Sequence, residues 1–177
     1  MSRKRKWLVA AVVAVLAAAG GTAFAALTNA HGSGISNIEV VNQTTSSTTG
    51  SQSYVSVPGA TVSIGVDTND YIRARFSGES LCGGEASLGA KCSMRVLVLG
   101  VGAANPNSGL DFAFDSWNGP CCGPDQTPEA HSMEWISTPL PAGAYTVRAQ
   151  YAVETGGMSF TLDDWTFSVE EIDGVPS

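Results

Sequence analysis

The sequence predicts an all-β fold: a two-sheet antiparallel sandwich of jelly-roll type, with an immunoglobulin-like sandwich as the alternative. Three observations carry this. From Tyr54 onward, short runs alternate apolar and polar residues with a period of two, the pattern of half-buried strands. Glycine, proline, asparagine and aspartate punctuate the runs. No stretch with a 3.6-residue apolar period occurs outside the apolar run near the amino terminus.

The runs read in order as eight or nine strands. "YVSVP" and "ATVSIGVD" come first. In "YIRARFS", Ile72, Ala74 and Phe76 point one way while Tyr71, Arg73 and Arg75 point the other. "CSMRVLVLGV" is more continuously apolar, as a central strand requires. "LDFAFDS", "HSMEWIS", "AYTVRAQYAVE" and "SFTLDDWTFSVEE" follow. Tyr145, Val147, Ala149, Tyr151 and Val153 share one face, as do Trp165, Phe167 and Val169. Pro141 and Gly143 form a tight turn into the first of the last two strands. Gly156-Gly157 between those strands is a hairpin signal and predicts that they pair antiparallel.

Ahead of the strands lies an export signal. "MSRKRK" carries four positive charges, an apolar run extends from Trp7 to Ala19, and Ala23-Phe24-Ala25 supplies a small-x-small cleavage site. Residues 1–25 are therefore read as a secretory signal peptide cut after Ala25, and the protein as secreted. An uncleaved anchor is the competing reading, because Trp7 to Leu27 is uncharged and long enough to span a bilayer. Residues 26–53 contain "TNAHGSG" and "NQTTSSTTGSQS", too polar to bury much apolar area, and are expected to be flexible. One short strand is expected in them, over 35–41, "ISNIEVV". Asn42-Gln43-Thr44 matches the N-glycosylation sequon. The sandwich domain is placed at 54–173 and a tail at 174–177.

Charge and cysteines narrow the function classes. Beyond residue 25, sixteen acids face five bases, a net charge of −11. Such a body repels phosphate backbones, so nucleic acid is excluded as a partner, and stable membrane insertion after signal cleavage is not expected. In an oxidising compartment the four cysteines pair. The glycine-rich loop "GGEASLGAK" favours Cys82–Cys92, leaving Cys121–Cys122 as a vicinal bridge; the competing arrangement ties Cys82 and Cys92 to Cys121 and Cys122. Zinc is disfavoured, since the spacing does not match tetrahedral sites.

The run "HSMEW…LPAGAYTVRAQY…FTLDDWTFSVE", with "RARFSGES" and "CSMRVLVLG" upstream, resembles small exported bacterial β-sandwich proteins of unassigned function. The likeness covers roughly residues 70 to 170. It rests on a C…C-x-x-R-v-l-v-x-G pair before an LPAG turn, matched by Cys82, Cys92 and Arg95. The resemblance implies the sandwich fold and supports the Cys82–Cys92 pairing. It implies no catalytic residue, and Cys121-Cys122 lies outside the shared pattern.

No constellation points to catalysis. His131 is the one histidine inside the domain, no G-x-S-x-G elbow is present, and Ser132, being adjacent, faces the other side of a strand. Acid pairs abound on so acidic a surface without indicating a glycosidase. Asp163-Asp164 places one carboxylate inward, in register with Trp165, for pairing with Arg95 or Arg148. Asp67, Asp70 and Asp163 are candidate calcium ligands, calcium being the one cofactor considered; no Asp-x-Asp-x-Asp loop accompanies them. Trp117, on a loop stiffened by proline, is a candidate platform for a sugar ring or a partner side chain. The function expected first is a non-enzymatic binding or adaptor module of an extracellular assembly. It would dock another secreted protein through its amino-terminal segment, with Ile35, Ile38 and Val40 as contact residues. A carbohydrate-binding module using Trp117, with a glycan as partner, is the alternative; a secreted hydrolase trails.

Overall fold

Two antiparallel five-stranded sheets pack face to face. The computed structural model describes residues 32–84, 89–107, 112–117 and 127–174, and the segment 1–25 read as a signal peptide and the pair Cys121-Cys122 fall outside these. Ten strands are described: β1 (Gly32–Gln43), β2 (Ser47–Thr49), β3 (Val55–Val66), β4 (Tyr71–Gly84), β5 (Lys91–Val98), β6 (Gly102–Ala103), β7 (Ala113–Ser116), β8 (Glu129–Ile136), β9 (Gly143–Val153) and β10 (Met158–Gly174). The first sheet runs β1-β10-β4-β8, with β2 also on β10; the second runs β3-β9-β5-β6, with β7 on β5. From β2 to β3, β4 and β5, and again from β7 to β8, β9 and β10, each connection passes to the opposite sheet. The first and last long strands end up as neighbours. This is the jelly-roll order. Among the described residues, no helix is long and apolar enough to cross a membrane.

Alternation puts one face of each strand in the core. In β4, Ile72, Ala74 and Phe76 are fully buried while Arg73 and Arg75 face out. In β9, Val147, Ala149, Tyr151 and Val153 are buried. β5 is buried almost continuously, as a strand flanked on both sides must be. Aromatic rings fill the centre: Phe76 stacks on Trp165 at 5.4 Å and meets Phe114 of the opposite sheet edge-on at 5.8 Å. Cys82 bonds Cys92, joining the ends of β4 and β5 at a Cα separation of 5.8 Å.

β10 needs one correction of phase. Phe160 and Leu162 are buried at even positions, Trp165, Phe167 and Val169 at odd ones. A period-two strand cannot do both. The register with β4 runs Asp163↔Glu79 and then Thr166↔Ser77, so Asp164 and Trp165 together oppose Gly78. That β-bulge, with Asp164 at φ 41°, flips the phase by one residue. Glycine is required opposite it: a Cβ on residue 78 would lie 2.6 Å from the Trp165 Cβ.

Three sequence expectations change here. β9 and β10 do not pair with each other. β9 lies between β3 and β5, and β10 between β1 and β4, so Gly156-Gly157 arches from one sheet to the other. Both strands bury apolar faces, and crossing lets those faces meet across the core instead of side by side. The segment expected to be flexible contributes β1 and β2, and the strand expected over 35–41 lies within the longer β1. Side-chain composition misled there, because β1 is held by its backbone ladder to β10 and by Val41 packed on the core. Asp163 and Asp164 are not in register with Trp165: the bulge leaves Asp163 half-buried and Asp164 exposed, and the Asp163 Oδ1 accepts the Asp164 N–H at 3.0 Å instead of an arginine.

Two variants test this arrangement by urea unfolding. Gly78→Ala is expected to lose about 1–3 kcal/mol, because the intruding methyl meets a fixed backbone and side chain. Cys82→Ala with Cys92→Ala is expected to lose about 3 kcal/mol by freeing the loop that the bridge closes. Unchanged midpoints would contradict the bulge and the clasp respectively.

Candidate functional site

Each outer strand of a sandwich presents backbone donors and acceptors that a neighbour could use, and proteins protect such edges. β3 carries Pro58 and the left-handed Gly59 (φ 81°), and its register with β9 breaks between Ser56 and Thr61. β8 is bridged at its last residue: Asn105 N–H donates to the Ile136 carbonyl at 2.8 Å and Ile136 N–H to the Asn105 carbonyl at 2.7 Å. β6 and β7 are short. β1 is less protected beyond its register shifts around Ile35. It is twelve residues long, contains no proline, lysine or arginine, and runs in unbroken register with β10 from Asn37↔Glu171 to Gln43↔Trp165.

The side chains on β1 match its open edge. A register shift between Ile35 and Asn37 turns Ile35 to the same outer face as Ile38 and Val40. The three are 52%, 53% and 51% exposed. Across β10 and β4 this apolar row gives way to charge. Ile35 opposes Ile172, which opposes Tyr71 in turn. Ile38 opposes Glu170, whose carboxylate accepts the Arg73 Nε–H at 2.8 Å. Beyond that, Arg75 donates through Nε to Glu134 at 2.6 Å, and Ser77 meets Ser132 at 2.8 Å. Isoleucine and valine half-exposed beside an unpaired strand edge form a surface suited to strand addition.

The other sequence candidates lie elsewhere. Trp117 is 9% exposed and belongs to the core; its N–H donates to the Ala90 carbonyl and its carbonyl accepts the Gly89 N–H, both at 2.8 Å. Backbone pairing of that loop with residues 89–90 draws the indole inward, so Trp117 seals the sandwich and offers no open platform. Cys82 and Cys92 are bonded to each other. His131 turns inward onto Phe114, ring centroids 5.7 Å apart, with its Nε2 3.9 Å from Asp115 and 3.8 Å from Glu129. Ser132 faces out to Ser77, so histidine and serine point to opposite faces and no nucleophile–base pair forms. A shallow groove of about 420 Å³ beside them is lined by Ser77, Glu79, Ser132, Asp164 and Thr166 among others.

Two of the three calcium candidates come together, joined by a residue the sequence reading passed over. Carboxylate oxygens of Asp67, Asp70 and Glu171 lie within 4.8 Å of one another. Asp163 sits apart, at the bulge. Glu171 Oε1 accepts the Asp67 N–H at 2.5 Å and Asp70 Oδ1 accepts the Gly174 N–H at 2.6 Å, so the acids fasten the β3–β4 turn to the end of β10. Their remaining oxygens are the hard donors a calcium ion takes. Period two, continued past Val169, puts Glu171 on the buried face, and a buried carboxylate demands partners; that signal was present in the sequence.

Comparison with family models and with curated proteins yields no match. Among solved structures, the chain is similar to one described as the crystal structure of dimeric latent PorU from Porphyromonas gingivalis, at 16% identity and a TM-score of 0.44. The likeness covers 87% of this chain and 14% of that one, so the chain spans about a seventh of the length of that protein.

Replacing Trp117 by alanine distinguishes plug from platform. The plug requires a loss of about 3–5 kcal/mol in chemical unfolding. An exposed platform would leave stability within about 0.5 kcal/mol.

Proposed function

We propose that this protein is an exported, non-enzymatic binding module that docks another secreted protein by adding a partner strand at β1. The observation that carries the reading is the less protected edge of β1 with Ile35, Ile38 and Val40 half-exposed beside it. Strand addition takes its affinity from main-chain hydrogen bonds and its specificity from alternating side chains, and β1 offers both. Export is supported by the charged, apolar and small-residue order of the amino terminus and by the Cys82–Cys92 bridge, a bond of oxidising compartments. The binding reading is supported over a hydrolytic one by the opposed directions of His131 and Ser132. It is supported over a sugar platform by the burial of Trp117.

Deleting residues 26–53 would strip β1 and β2 from the sheet, so surface substitutions make the fairer test. Tagged wild-type protein and an Ile38→Lys, Val40→Lys variant are each used to capture partners from the native culture medium. The variant is expected to lose a specific captured protein by about tenfold or more. Its unfolding free energy is expected to stay within about 0.5 kcal/mol, because both side chains are half in water already. Equal capture by the two proteins would sink the docking of β1.

A further inference from the structure

We infer that the strand accepted by β1 comes from a cationic segment: apolar residues opposite Ile38 and Val40, and a lysine or arginine opposite Glu39. The inference rests on the β1 docking reading and adds the chemistry of the partner.

Directly opposed residues in an antiparallel pair lie with Cβ atoms about 4.5–5.5 Å apart and share a face. Ile38 and Val40 stand on the outer face, so Glu39 between them stands on the other. Glu39 is exposed and is the single charged residue in β1. Its neighbour on β10 is Val169, which cannot neutralise it. Among the described residues its carboxylate has neither an ion-pair nor a hydrogen-bond partner. The place directly beyond it, on the open side of β1, is where an incoming strand sets its own side chain.

A second copy of this chain fits that place badly. Self-pairing must keep like faces together, because a shift of one residue turns every side chain over. The antiparallel register that sets Ile38 against Val40, in both directions, has its two-fold axis at Glu39 and brings the two Glu39 carboxylates face to face. Centring on Ile38 instead places Val40 opposite Ser36, and centring on Val40 places Ile38 opposite Asn42. Each choice forfeits an apolar pair or opposes like charges. The bodies behind the strands add repulsion, with sixteen acids against five bases beyond residue 25. A basic segment turns both liabilities into attraction.

The test uses the full exported chain and two blocked peptides, Thr-Thr-Val-Lys-Val-Thr-Thr and the same peptide with glutamate for lysine, titrated at low salt by NMR. The lysine peptide is expected to shift β1 amide signals and to bind about fivefold tighter than the glutamate peptide. Glu39→Lys, a change at an exposed position, is expected to reverse that order. Equal binding of the two peptides, abolished by the Ile38→Lys, Val40→Lys variant, would overturn the cationic partner while leaving docking at β1 intact. No shift with either peptide would overturn both. Concentration-dependent dimerisation that strengthens in Glu39→Gln would overturn the cationic partner by assigning the edge to a second copy.

Discussion

The contact of Trp165 with Gly78 governs the architecture. β10 borders β1, β2 and β4, and its inward side chains run from Phe160 to Val169 through the middle of the core. A strand that long would turn half of its apolar residues to solvent if its phase stayed constant. One extra residue, accommodated by the absence of a side chain on the facing strand, restores the inward direction for Trp165 and Phe167. The indole then stacks on Phe76, and the outer face of the same region becomes a small polar groove.

The edges of the two sheets are treated unequally. On one flank the end of β8 is bridged by the reciprocal hydrogen bonds of Asn105 and Ile136. On the other, β3 is broken by Pro58 and Gly59, while β1 keeps unbroken register with β10 from Asn37 to Gln43. Natural sheets rarely leave a long apolar edge bare, because it recruits other strands. The exposure of Ile35, Ile38 and Val40 along one edge therefore supports the proposed docking more than a scattered apolar residue on the surface would.

Much of this is legible in the sequence. The inward residues of β4, β9 and the second half of β10 follow from alternation, and the central position of β5 from its continuous hydrophobicity. Sheet assignment was not legible: Gly156-Gly157 marks a reversal but does not state whether the chain turns within a layer or across two. Nor was the order in β1, since a chain segment poor in apolar residues can still be held by a ladder whose partner lies over a hundred residues away. Trp117 misled for a related reason, its direction being set by hydrogen bonds to residues 89 and 90 that leave no trace in local composition. The acid cluster was half visible: Asp67 and Asp70 share a turn, whereas Glu171 joins them from 104 residues away.

Gly32 and Gly174 are cross-strand partners, so the described chain begins and ends at the same corner of the same sheet. Mechanical load applied between those two points pulls the ladder of β1 and β10 open one rung after another, rather than stretching all of its rungs at once. Such a zipper yields at low force while the aromatic interior is still intact. Under such load the strand that bears the exposed isoleucines is the first to peel away.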